Sequence, residues 1–223
     1  MKFDIITIFP KIFDSYFGES IIKRAVKNKL ISIKTWNLRD FSKERHLKVD
    51  DRPYGGGPGM VLQVEPVFHA VRRILRGKGK ARVILFSPSG KKLDDGVIKR
   101  LLKYDRLVLI CGRYEGVDER IAEKVADEKI SIGDYVLAGG EIPAMVLVES
   151  IARFIPGVLG KQGSLETIKG SYPVYTRPEV FSPEKGKLWK VPKVLLEGSH
   201  VKISEWRAEK GHKTSESPQK SLT

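Results

Sequence analysis

Arg106-Leu107-Val108-Leu109-Ile110-Cys111-Gly112-Arg113-Tyr114-Glu115-Gly116 is an apolar run that stops on a glycine-bearing turn. A strand that is apolar at successive positions has both faces covered, so it predicts an interior strand of a parallel sheet. The pattern repeats outward from it. On the N-terminal side the spacing predicts a helix over 65–76, a strand over 81–86 and a helix over 94–102. On the other side come a helix over 118–126, a strand over 129–132, a glycine-rich turn and a long apolar helix over 143–154. Near the start, Phe3, Ile5, Ile6 and Ile8 read as a strand over 3–9, and a second strand is expected over 30–36. Between them Ile12, Phe13, Tyr16, Phe17, Ile21, Ile22, Ala25 and Val26 fall at helix spacing, with Gly18 as a soft spot and Pro10 at the first helical position. Strands alternating with helices predict an α/β fold, a mostly parallel sheet with helices on both faces.

Two regions depart from this rhythm. Residues 39–59 are polar and end in Tyr54-Gly55-Gly56-Gly57-Pro58-Gly59, a loop long enough to be functional or mobile. Residues 156–180 are punctuated by glycine and proline. A small amphipathic helix is expected over 200–210, followed by a polar tail over 211–223.

The 223 residues are 41% hydrophobic and 30% charged, which supports a buried core and excludes wholesale disorder. A single cysteine rules out a disulfide framework and a cysteine-only metal cage. With no apolar run of about 18 residues and an N-terminus unlike a signal peptide, the expectation is a soluble cytoplasmic protein without membrane partners. The net charge of +14 invites a polyanionic partner. That charge is unevenly spread: residues 1–53 carry +5, 54–106 carry +8, 107–160 carry −4 and 161–223 carry +5. A basic body around an acidic, glycine-containing middle suggests a nucleic-acid surface beside a pocket for a positive or neutral small molecule. The alternative is a generally solvated basic protein.

Absent motifs narrow the chemistry. No glycine-rich dinucleotide turn follows the first strand, and no phosphate-binding loop of the G-x-x-x-x-G-K-[ST] kind occurs. His46, His69, His200 and His212 are scattered, without the spacing of a zinc site or a hydrolase triad. Three strand ends remain, each meeting a glycine-bearing loop: Phe86-Ser87-Pro88-Ser89-Gly90, residues 111–116, and Ile132-Gly133-Asp134-Tyr135-Val136-Leu137-Ala138-Gly139-Gly140-Glu141. Ligands of open α/β sheets bind outside the carboxyl ends of the strands, where glycine lets backbone approach a flat ligand. Each loop alone also reads as an ordinary structural turn.

The chain resembles the bacterial tRNA (guanine-N1)-methyltransferase family of the SPOUT superfamily over residues 1–210. The blocks that carry the resemblance occur in order: residues 54–60, residues 111–116, Ser131-Ile132-Gly133-Asp134-Tyr135-Val136-Leu137, Arg153-Phe154-Ile155-Pro156-Gly157-Val158-Leu159-Gly160, and Tyr175-Thr176-Arg177-Pro178-Glu179. The resemblance implies methylation of N1 of the guanosine immediately 3′ of the tRNA anticodon, with S-adenosyl-L-methionine as methyl donor. It also implies a trefoil knot, a feature so rare that patterning does not predict it, and a homodimer whose active sites draw on both chains. The implied cofactor-binding residues are Ser87, Pro88, Gly112, Tyr114, Glu115, Ile132, Gly133, Asp134, Tyr135, Val136, Leu137, Gly139, Gly140 and Pro143. Glu115 and Asp134 are assigned to the cationic end of the cofactor; the alternative is that they cap neighbouring helices. The implied division is a SPOUT domain over 1–160 holding the cofactor knot, a linker over 161–175, a small helical tRNA-binding region over 176–210 and the tail.

Two residues are assigned to catalysis. Guanine N1 carries a proton that a carboxylate can remove as general base. The negative charge that then spreads to the ring oxygen suits an arginine, and Arg153 matches the family's arginine in that role; a surface ion pair is its alternative. Members of the family carry an aspartate as presumed base in a longer linker. Here the segment is shorter, has no aspartate, and offers Glu166 as its carboxylate, so Glu166 is expected to replace it; a solvated loop glutamate is the alternative. The family also suggests magnesium, yet the sequence has no dedicated carboxylate cluster, which leaves Glu166 and the substrate to bridge such an ion. Contacts to the tRNA anticodon arm are expected from Arg72, Arg73 and Arg76 and from Lys202 and Arg207, with the loop over 55–59 near the target base or phosphates. Two other readings use the same features: an RNA-binding homologue that has lost the base, and a methyltransferase for another RNA target.

Overall fold

The computed structural model describes residues 1–159 and 172–211. The chain divides into two compact units, Met1–Leu159 and Gly160–Thr223.

The strands of the first unit are β1 (Lys2–Thr7), β2 (Ser32–Asn37), β3 (Asp50–Asp51), β4 (Val61–Leu62), β5 (Ala81–Lys92), β6 (Arg106–Ile110) and β7 (Glu128–Ser131). Its helices are α1 (Asp14–Phe17), α2 (Ser20–Lys27), α3 (Val64–Leu75), α4 (Asp95–Leu101), α5 (Glu119–Lys124) and α6 (Glu141–Ala152). Five strands form one parallel sheet in the order β2-β1-β6-β5-β7. β6 lies at its centre, as its apolar sequence requires. Leu107, Leu109 and Cys111 enter one core with Phe3, Ile5 and the buried sides of α2, α4 and α6. Val108 and Ile110 enter the other, with Ile6, Val83, Leu85 and the inner faces of α3 and α5. Helices therefore cover both faces, each buried Val, Leu or Ile contributing about 1.5–3 kcal/mol. Among the described residues no helix is long and apolar enough to cross a membrane.

Local chemistry sets the element ends. The Asp94 carboxylate accepts from the Val97 N–H at 2.7 Å and starts α4, and Asp118 accepts from Arg120 N–H at 3.0 Å and starts α5. The helix expected from Pro10 is broken into a 3-10 turn (Pro10–Phe13), α1 and α2, with Gly18 between the two α segments. β5 runs six residues past its expected end. Its register against β7 jumps between Phe86 and Lys91, so Ser87-Pro88-Ser89 bulges from the sheet edge. A Cβ on Gly90 would lie 2.6 Å from the Ile130 backbone, which reserves that position for glycine.

The polar stretch over 39–59 is tethered part-way along, because Asp50 and Asp51 of β3 pair antiparallel with β4. The second unit, expected to be helical, also contains a hairpin of β8 (Val180–Glu184) and β9 (Lys187–Lys190) before α7 (His200–Lys210). Gly186 takes φ 86° in the hairpin turn, a conformation that favours glycine. Both strands are largely exposed and lack apolar alternation, so periodicity gave no sign of them.

An ion cluster locks the β5–β7 edge. Glu128 is 13% exposed and accepts from Arg82 Nε at 2.9 Å and Arg100 Nη1 at 3.0 Å. Burial pushes its carboxyl upward, but hydrogen bonds from Arg100 and Arg82 outweigh this and hold it below the ordinary glutamate value of 4.5. A lowered folded-state pKa gives stability that is present at neutral pH and lost as pH falls through that pKa. Glu128→Gln is therefore expected to lower the melting temperature at pH 7, with the gap from wild type shrinking as pH falls through the lowered carboxyl pKa. A gap independent of pH would show that the charge on Glu128 is not what stabilises this edge.

Candidate functional site

β6, β5 and β7 are neighbours, so the loops that follow them meet at one carboxyl edge of the sheet. They enclose a pocket of about 250 Å³. Ser87 and Pro88 from the β5 bulge form one wall, Gly112, Tyr114 and Glu115 a second, and Ile132, Gly133, Tyr135, Val136, Leu137, Gly139 and Gly140 a third, with Pro143 of α6 at the base. Thirteen of the fourteen cofactor-binding residues expected from sequence thus line one cavity. Asp134 is the exception. Its carboxylate pairs with Lys92 and its side chain is 78% exposed, away from the lining. Arg113, Gly116, Ser131 and Ala138 also line the pocket.

The third loop is stitched onto the second by backbone contacts. The Gly140 N–H donates to the Gly112 carbonyl at 2.9 Å, and Gly139 forms an antiparallel bridge with Arg113. A Cβ on Gly140 would sit 2.6 Å from the Cα of Cys111, so only glycine admits this approach. Tyr114, at the second wall, takes φ 58°, a strained conformation for a bulky side chain. That loop is also held from below: Glu115 N–H donates to the Met60 carbonyl and Leu62 N–H to the Gly116 carbonyl, each at 3.0 Å. The glycine-rich segment over 55–59 is therefore joined directly to the pocket wall, with Tyr54 fully exposed at its start.

Beneath the loops lies a polar network that sequence reasoning missed. Glu141, the first residue of α6, is 1% exposed. It accepts from the Thr7 hydroxyl at 2.7 Å and from Arg113 Nε at 2.9 Å. Arg113 also donates to the Ala138 carbonyl at 3.4 Å and lies 4.8 Å over the Phe9 ring. Three chain segments far apart in sequence are thereby clamped together. The available sequence signal was an acidic residue opening an otherwise apolar helix straight after two glycines. Burial, with the Glu141 charge nearby, pushes the Cys111 thiol well above its ordinary value. Cys111 therefore stays protonated and acts as a small core residue.

Glu115 is exposed in the pocket wall and forms no ion pair among the described residues. Arg153 caps the far end of α6, is partly buried, and is not among the lining residues. Glu166 lies outside the described residues. Arg72, Arg73 and Arg76 are exposed on and after α3, and Lys202 is exposed on α7. The Arg207 guanidinium stacks 4.8 Å from the Tyr172 ring. Among the described residues, no three His, Cys, Asp or Glu side chains are grouped so as to hold a metal ion.

Residues 1–222 match the family described as tRNA (Guanine-1)-methyltransferase TrmD. The chain belongs to this family. A tRNA (guanine-N(1)-)-methyltransferase of Ruminiclostridium cellulolyticum is 50% identical over 213 residues, covering 93% of this chain and 89% of its own. One from Shewanella denitrificans is 50% identical over 208 residues, covering 93% and 84%. Another, from Geobacter sulfurreducens, is 46% identical over 215 residues, covering 94% and 86%. The parallel sheet with its three carboxyl-edge loops is accordingly that of a SPOUT-type methyltransferase.

Removing one member of a buried ion pair leaves the other desolvated and uncompensated. Glu141→Ala is expected to lower the unfolding free energy by about 3 kcal/mol, read as a fall in the urea midpoint. A change below about 0.5 kcal/mol, the range of ordinary surface substitutions, would mean that the clamp does not hold the loops.

Proposed function

We propose that the protein transfers the methyl group of adenosylmethionine to N1 of the guanosine immediately 3′ of the anticodon in tRNA, in the cytoplasm. The observation that carries this reading is the convergence of three strand-end loops on one pocket with a carboxylate in its wall, Glu115, that forms no ion pair among the described residues. The glycine edges allow a flat adenine to lie against backbone, and Glu115 offers a counter-charge to a cationic sulfur or amino group. Adenosylmethionine supplies an electrophilic methyl group on a positively charged sulfur. The protein's main task is alignment, since displacement requires the attacking nitrogen in line with the breaking bond. Glu166 removes the N1 proton as general base, and Arg153 stabilises the charge that develops on the neighbouring ring oxygen.

Arg153 bears on the number of chains in the site. It lies ten residues beyond Pro143 along α6, about 15 Å at the helical rise. That is further than an arginine side chain spans, which supports a reading in which Arg153 serves the pocket of a second chain. The surface supports such pairing. Ile12 is exposed in the 3-10 turn that packs against α6, and Ile142 and Val146 are exposed on α6 itself. Exposed apolar side chains on neighbouring elements suit an interface. The active unit is a homodimer whose sites draw on both chains, the strand-end loops of one protomer and Arg153 of its partner. The region over 176–210 holds the anticodon arm, joined to the first domain by the linker over 161–175. Any magnesium ion would be held by Glu166 and substrate, and no step above depends on it.

Single-turnover methylation of a guanosine-bearing anticodon stem-loop tests this reading. Wild-type protein is expected to methylate N1, and Glu166→Gln to be slower by about a hundredfold or more. Near-normal turnover of Glu166→Gln would remove the base assignment. Wild-type protein that binds the RNA but transfers no methyl group would favour an RNA-binding homologue, and methylation at another atom would favour another target. A single-chain mass at full activity would remove the two-chain site.

A further inference from the structure

The opposite end of the sheet carries a groove of about 460 Å³ that the methyl-transfer chemistry does not use. Lys2 and Asp4 of β1 alternate with Phe3 and Ile5 and share the face of Ile6, which packs in the α3 core. Lys34 lies in register with Asp4, and Arg106 opens β6 in register with Lys2. α3 covers this face and ends short of the sheet edge, where Arg73 and Arg76 close the groove. Five cations therefore surround one cavity with a single carboxylate in its lining.

That carboxylate is already engaged. Asp4 accepts from Trp36 Nε1 at 2.7 Å and lies 3.5 Å from Arg106 Nε. Arg106 donates through Nη1 to the Ile74 carbonyl at 2.6 Å. Its Nε is the one buried side-chain nitrogen or oxygen among the described residues that has no hydrogen-bond partner. Lys34 Nζ sits 3.7 Å over the Trp36 ring. Lys2, Arg73 and Arg76 are exposed and form no ion pair among the described residues. The negative end of the α3 dipole favours cations in its last turn, which accounts for Arg73 but not for the cations rising from three strands. Five cations against one carboxylate repel one another, and an anion in the groove relieves that cost.

We propose that this amino-edge groove is an anion site that takes phosphate groups of the RNA backbone, separate from the methyl-transfer pocket; it rests on the tRNA reading above. Arginine forks match phosphate oxygens in pairs. Because Lys34 caps the Trp36 ring on one face, the groove reads charge rather than stacking a base. The strands of five or six residues that separate the two sites span about 17–20 Å. One long polyanionic substrate bridges that distance, whereas the methylated nucleotide alone does not.

The test compares wild-type protein with the double variant Arg73→Ala/Arg76→Ala, using full-length tRNA, tripolyphosphate and adenosylmethionine as separate probes. Tripolyphosphate is expected to raise the melting temperature of wild type only. The variant is expected to bind tRNA about tenfold more weakly at 0.1 M salt, with the slope of log K against log salt shallower by about 1–2, as for two lost phosphate contacts. Its affinity for adenosylmethionine is expected to stay unchanged. Unaltered tRNA affinity and slope would overturn the proposal, and so would a tripolyphosphate response without any change in tRNA binding, which marks a site for free polyphosphate. If the variant loses adenosylmethionine binding as well, Lys34→Ala decides by the same readouts. Failure of the functional reading is distinct, because wild-type protein would then bind adenosylmethionine without binding tRNA.

Discussion

The hydrogen bond from the Gly140 N–H to the Gly112 carbonyl, 2.9 Å long, marks the constraint on which the site depends. It holds only if the chain leaving β7 folds back against the end of β6 at backbone contact distance. No side chain fits at residue 140, where a Cβ would meet the Cα of Cys111 at 2.6 Å. Directly beneath, Glu141 ties Thr7 and Arg113 into a buried cluster that fixes the same geometry from the core side. The pocket is a consequence of these two layers: backbone against backbone above, a charge-assisted clamp below.

Charge is divided along the fold as it is along the sequence. The acidic middle of the chain supplies the carboxyl edge, where Glu115 stands in the pocket wall and forms no ion pair among the described residues. The basic first half supplies the amino edge, where five cations share one groove. A cationic methyl donor and the phosphates of a polyanionic RNA make opposite electrostatic demands, and the proposed amino-edge groove would hold phosphates away from the carboxyl-edge pocket while the target base still reaches it.

The central strands were legible because β6 and its neighbours are apolar without interruption, and a strand of that kind has one structural solution. The pocket-lining glycines were legible for the same reason, since they stand at the ends of those strands. Asp134 was not, because its direction depends on Lys92, and Lys92 belongs to a part of β5 beyond the bulge that the apolar pattern does not reach. The Arg113–Glu141–Thr7 cluster joins residues up to 134 positions apart, a relation that spacing does not encode. The β8–β9 hairpin escaped because its exposed strands have no hydrophobic alternation. Glu166 remains an assignment from sequence alone.

The central claim is that the three carboxyl-edge loops form the methyl-donor site. A crystal structure of the protein with bound adenosylmethionine measures this most directly. The account requires the adenine against the backbone of residues 132–140, with the sulfur and amino end on the side of Glu115. The ligand bound elsewhere, or a saturated crystal in which these loops contact no ligand, would contradict it.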